Sequence, residues 1–157
     1  MRGNKSIKKP KFNLDPKYAD PTLSKFINKV MWDGKKDTAQ TIVYSALERL
    51  AKERNLDVPT TLREVINAAS PILEVKSRRV GGATYQVPME VKPSRKVVLV
   101  MRWLLEICRG VKGKDMSTAL YEEMRNILDN TGAVIKKRED LHKMAEANRA
   151  FAHFARY

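Results

Sequence analysis

The chain has 157 residues, enough for one compact domain and short for two, and 43% hydrophobic residues, enough to bury a core. Thirty-one Lys and Arg stand against 18 Asp and Glu, a formal charge of +13. The hydrophobic share excludes a wholly disordered basic tail, and the charge points to a polyanionic partner, because a folded domain at that net charge repels itself.

Nucleic acid and an anionic membrane are the two candidate polyanions. No run of about 18 apolar residues occurs and no basic-then-apolar leader opens the chain, so a soluble, unexported protein without membrane contact is expected. The lone Cys108 has no internal disulfide partner, which fits a reducing compartment.

Residues 1–17 carry Arg2, Lys5, Lys8, Lys9, Lys11 and Lys17 against Asp15. The segment reads as a frayed terminus or as an arm that orders on phosphates, and the charge elsewhere favours the arm. A single helical domain, 18–157, is expected to follow. Asp20 is placed to cap and Pro21 suits a first helical position; Leu23, Phe26, Ile27, Val30 and Met31 then recur at helical spacing up to Gly34. A second helix opens at Asp37, with Ala39, Ile42, Val43, Ala46, Leu47, Leu50 and Ala51 as its stripe. A third is predicted from about Thr61, where Thr61 and Glu64 have capping-box spacing, with Pro71 as its limit.

Two extended stretches over about 72–92 flank Gly81-Gly82, a pair that tolerates the positive φ of a two-residue hairpin turn. A fourth helix over about 95–109 is apolar nearly all round, which predicts a place at the bundle's centre. A fifth covers about 116–130, and Gly132 separates it from a sixth over about 134–155. The sum is a mainly α protein: a six-helix bundle with one protruding two-stranded β-hairpin.

Counting outward from the turn pairs Val80 with Ala83, Arg79 with Thr84, Arg78 with Tyr85, Ser77 with Gln86 and Lys76 with Val87. Opposed side chains share a face, so Arg78 and Arg79 point to opposite faces. The base, with Ile72, Leu73, Val75, Met89 and Val91, is more apolar. A lone hairpin is marginal in water, so the bundle is expected to brace this base while the tip reaches a partner. Arg78 is also placed to stack on Tyr85, worth about 0.5–1 kcal/mol when exposed.

Projected at about 100° per residue, the last helix puts Leu141, Met144, Ala145, Asn148, Phe151, Ala152 and Ala155 on a face to be buried. Arg138, His142, Arg149, His153 and Arg156 fall on another, a basic track suited to a nucleic-acid backbone. Lys136 and Lys137 crowd the first turn, where a docked phosphate would satisfy free amides and cations together. Phe154 and Tyr157 fall outside the apolar stripe and are placed for stacking on bases or a neighbouring protein.

An active site is not expected. No phosphate-cradling Gly-rich loop with its Lys occurs, and the two histidines lie eleven apart on one helix without a Cys pair to complete a metal site. No Ser, His and carboxylate grouping stands out. No cofactor, metal or homo-oligomer is expected.

Three segments carry a resemblance. Asp20 to Ala46, with Phe26-Ile27, Gly34-Lys35-Lys36 and Ile42-Val43; EVKSRRVGGATYQVPMEV at 74–91; and KKREDLHKMAEANRAFAH at 136–153 together resemble the universal family of the seventh protein of the small ribosomal subunit, in its bacterial form. The likeness runs from about Asp15 to Tyr157. It implies a six-helix bundle with an extended hairpin that binds the 3′ major domain of small-subunit rRNA. It further implies nucleation of subunit-head assembly and a position near the exit-site tRNA and the mRNA path at the subunit interface. Neighbouring head and platform proteins are implied partners, and the ribosome in the cytoplasm the implied location.

Carried onto this chain, the rRNA-contact candidates are Arg2, Lys5, Lys8, Lys9, Lys11, Lys35, Lys36, Lys76, Arg78, Arg79, Arg95 and Lys96, with Lys136 and Lys137 added from the helix start. Candidates nearer tRNA and mRNA are Gly81, Gly82, Tyr85, Arg138, His142, Arg149, His153 and Arg156. The arm is Lys-rich where many relatives use Arg, which predicts fewer bidentate phosphate contacts, and 110–118 is less family-like. The rival hypotheses are an architectural DNA-binding protein and an RNA-modifying enzyme, which would need a cofactor pocket.

Overall fold

In the computed structural model, which describes residues 13–156, the Asp20-Pro21 signal starts α1, Pro21–Val30. The Asp20 carboxylate accepts the N–H groups of Thr22 and Leu23 at 2.8 Å each, and Arg63 reaches it at 2.8 Å. Burial alone would raise the Asp20 carboxyl, but those amides and the guanidinium outweigh it and hold the group below its usual range. The arm candidates Arg2, Lys5, Lys8, Lys9 and Lys11 lie outside the described residues. Lys17, grouped with the arm by charge, belongs to the body. It pairs with Glu48 and lies 5.3 and 5.4 Å from the ring centroids of Tyr18 and Tyr44.

Helix α2, Lys36–Arg54, buries the predicted stripe except Ile42, which is half-buried, and ends on Asn55 in the left-handed region. Helix α3, Val58–Ala69, begins before the expected Thr61. Asp57 is its cap, accepting from the Thr60 N–H at 3.4 Å, and Pro59 fits the first turn, where no N–H is needed. Thr61 is fully buried, its hydroxyl donating to the Asp57 carbonyl at 2.9 Å.

Helices α4, Pro93–Gly110, α5, Met116–Leu128, and α6, Gly132–Ala147, complete the bundle. The deepest side chains come from five helices: Leu23, Phe26 and Ile27; Val43, Leu47 and Leu50; Leu62 and Val65; Leu104; Leu120, Met124 and Ile127. Helix α4 is a wall rather than the expected centre. Leu99, Val100, Met101, Leu104, Leu105 and Cys108 face inward, whereas Val97, Val98, Trp103 and Ile107 are half-buried. Burial pushes the Cys108 thiol up to about 12, so it stays protonated.

The strands are β1, Leu73–Val80, and β2, Ala83–Glu90. Their antiparallel register pairs Val80 with Ala83 and continues outward as counting predicts, to Leu73 with Glu90. Gly81 and Gly82 take φ of 58° and 89°, the positive values that a tight two-residue hairpin turn requires.

The regular helix expected over 134–155 stops at Asn148, whose side-chain amide turns back to donate to the Met144 carbonyl at 2.8 Å. Arg149–Arg156 form a 3-10 helix. At about 120° per residue this geometry stacks positions i and i+3, which aligns Phe151 and Phe154 side by side. Both rings meet Tyr85 of β2, with centroids 5.2 and 5.0 Å away. The ribbon is therefore braced by α6 and the 3-10 segment as far out as Tyr85, beyond its base. The change of pitch also undoes part of the projected apolar face: Ala152 is exposed, while on α6 itself Met144 is 52% exposed.

Candidate nucleic-acid interface

The ribbon concentrates cations because its turn and outer residues cannot bury anything apolar. From Glu74 to Lys96 the chain carries Lys76, Arg78, Arg79, Lys92, Arg95 and Lys96 against Glu74 and Glu90. By contrast, Asp115–Asp129 carries Asp115, Glu122, Glu123 and Asp129 against Arg125, on α5, which packs on α2, α3, α4 and α6. The two segments thus differ sharply in charge. Arg79, Gly81 and Gly82 are exposed and Arg78 is half-buried. The ring partners of Tyr85 are Phe151 and Phe154 in place of the expected Arg78 stack.

At the ribbon's root, Glu74 is 7% exposed and sits between Lys76 Nζ at 3.0 Å and Arg95 Nε at 3.3 Å. Burial by itself raises the Glu74 carboxyl; the bonds from Lys76 and Arg95 outweigh that and hold it below its usual range. Of these two expected phosphate ligands, Lys76 therefore pairs with Glu74 within β1, while Arg95 also fastens β1 to α4. Both side chains remain about half exposed, at 52% and 41%, and keep donors for a phosphate.

The five-member basic track on the last helix divides. Arg138 donates to the Ala68 carbonyl and to Asn130 Oδ1 at 3.2 Å, and His142 Nε2 accepts the Ile72 N–H at 3.0 Å. These two face the junction of α3 and β1 and act as ties. Arg149 is 80% exposed and reaches Glu146 at 3.4 Å. His153 is exposed, with Nδ1 2.9 Å from the Ala150 carbonyl, so Nδ1 carries the proton. The side chain of Arg156, like Tyr157, lies outside the described residues. The phosphate niche expected at the start of α6 is partly filled: Glu123 Oε1 accepts the Val134 N–H at 2.8 Å. Lys137 pairs with Glu106 at 2.7 Å, while Lys136 is exposed.

Lys35 is exposed and Lys36 and Lys96 are half-buried. Beside Lys35 and Lys36 the structure adds residues that sequence reasoning passed over: Trp32, 67% exposed, with the Arg109 guanidinium 5.1 Å from its ring centroid. The available signal was a tryptophan directly after the apolar stripe of α1. Among the described residues no cluster of metal-ligating side chains occurs, and no helix is long and apolar enough to cross a membrane.

A helical body that carries cations out on a braced β-ribbon has the form of a module that binds a polyanion. The family model described as ribosomal protein S7p/S5e matches residues 1–149, and the chain belongs to that family. It is 53% identical over 140 residues to small ribosomal subunit protein uS7 of Fervidobacterium nodosum, covering 89% of this chain and 90% of the relative. The same protein of Thermosipho africanus is 54% identical and that of Saccharophagus degradans 51%, each over the same shares. The family is one of structural ribosomal proteins, not enzymes.

Proposed function

We propose that the chain is a structural constituent of the small ribosomal subunit in the cytoplasm, binding the 3′ major domain of its rRNA. In this role it nucleates assembly of the subunit head, contacts neighbouring head and platform proteins, and lies near the exit-site tRNA and the mRNA path. The observation that carries the reading is the braced ribbon, whose register sets the neighbouring Arg78 and Arg79 on opposite faces near the turn. Family membership supports the partner.

The mechanism is positional. Cations neutralise phosphates and release counterions, while the packed body fixes the spacing between the RNA elements they hold. The exposed Arg149, beside the hairpin base at Leu73 and Glu90, the exposed His153 and the turn at Gly81-Gly82 are the surfaces offered to tRNA and mRNA. Hydroxyl-radical footprinting of the full chain on deproteinised small-subunit rRNA tests this: protections should gather in the 3′ major domain. Protections scattered over all domains, or equal competition by random duplex DNA, would contradict it.

A further inference from the structure

Trp32 is the most exposed bulky apolar side chain among the described residues, and nothing in the core accounts for it. The backbone that carries it is held in a hydrogen-bonded turn. The Lys35 N–H donates to the Trp32 carbonyl at 2.9 Å and the Lys36 N–H to the Gly34 carbonyl at 2.8 Å, with Asp33 and Gly34 at φ of 50° and 73°. Arg109 stands against the ring and also reaches the Lys29 and Val30 carbonyls at 3.5 and 3.4 Å. Arg109 further belongs to a cleft of about 440 Å³ lined by Lys29, Arg102, Leu105 and Glu106. The acid of that cleft, Glu106, is already held by Lys137 at 2.7 Å. Asp33 in the adjoining loop and Asp37 in the first turn of α2 flank Lys35 and Lys36 in sequence.

A solvent-facing indole beside a cationic cleft matches what an unpaired nucleotide needs, a flat surface for the base and cations for the phosphate. We propose that Trp32 is a stacking platform for an unstacked base of RNA, with the adjoining phosphate held in the cleft of Lys29, Arg102 and Arg109. This rests on the RNA-binding reading above and adds a specific contact to it. A protein surface is the other possible occupant, and the three cations of the cleft favour RNA.

The test titrates the full chain with a 3′ major domain rRNA fragment and follows tryptophan emission and affinity together. Trp32 and Trp103 are the two tryptophans, so Trp32→Phe leaves Trp103 as the internal reference. Saturating RNA should quench the unmodified chain strongly and the Trp32→Phe chain little, while that variant keeps its affinity within about threefold because phenylalanine also stacks. Trp32→Ala should bind about 5- to 150-fold more weakly, the effect of losing one stacked base, with an unchanged thermal midpoint. Emission unmoved at saturation, with Trp32→Ala binding as tightly as the unmodified chain, would overturn the platform alone. Emission that responds only after other small-subunit proteins are added would assign the surface to a protein and overturn it likewise. Failure of the unmodified chain to bind the fragment would bring down the RNA-binding reading itself.

Discussion

His142 accepts the Ile72 N–H through Nε2, tying the residue before β1 to α6 across seventy positions of chain. One turn earlier Arg138 donates to the Ala68 carbonyl at the end of α3, tying that helix to α6 as well. Two side chains that a helical projection groups with a cationic track thus secure the ribbon's root. His142→Ala should cost only about 0.5–1.5 kcal/mol, because Ile72 is 64% exposed and water can replace the lost acceptor. Amide hydrogen exchange should show the local effect: faster exchange at Ile72 and along the start of β1, reversed by His142→Gln. Exchange unchanged at Ile72 would show that the bond does not hold the root.

Glu74 links β1 to α4 through Arg95 and steadies Lys76. Its folded-state carboxyl lies below the ordinary 4.5, so the contribution is complete above about pH 5 and fades as pH falls through the folded value. Glu74→Gln should lower stability by about 1 kcal/mol at neutral pH, a modest figure because both cations are about half exposed. Its thermal midpoint should also fall less than that of the unmodified chain between pH 6 and pH 3.5. Parallel acid limbs for the two proteins would contradict the assignment.

Gly132 begins α6 at φ +93°, and a Cβ there would lie 2.9 Å from Asn126 Cβ and 3.0 Å from Glu123 Oε1. Glu123 is the carboxylate that caps Val134, so the clash also disturbs the cap. Gly132→Ala should destabilise by about 2–4 kcal/mol, combining backbone strain with overpacking. Urea unfolding measures it. A change below about 0.5 kcal/mol would mean that the helix start rearranges freely.

Much of the ribbon was legible in sequence because its determinants are local. A Gly-Gly turn between extended runs leaves one natural register, and the observed pairs from Val80–Ala83 to Lys76–Val87 follow it. The Asp20 cap was legible for the same reason. The path after Ala147 was not. A helical projection assumes constant pitch, whereas contact of Phe151 and Phe154 with Tyr85, more than sixty residues away, accompanies a 3-10 geometry. The ties of Arg138 to the Ala68 carbonyl and of His142 to the Ile72 N–H were not legible, because backbone groups carry no residue-type signal. The start of α3 was missed for a different reason: Asp57 and Pro59 gave the signal, and Thr61 with Glu64 gave a competing one.

Arg78 and Arg79 test the account most directly, because Arg79 is exposed, Arg78 is half-buried, and neither is tied into the root as Lys76 and Arg95 are. The measurement is the affinity of the full chain for the 3′ major domain rRNA fragment between 50 and 200 mM salt, with and without Arg78→Glu and Arg79→Glu together. The double variant should keep its helical spectrum, bind at least about tenfold more weakly, and show a log-log salt slope shallower by about one to two. Equal affinity and an equal slope would take the ribbon out of the RNA interface and contradict the central claim.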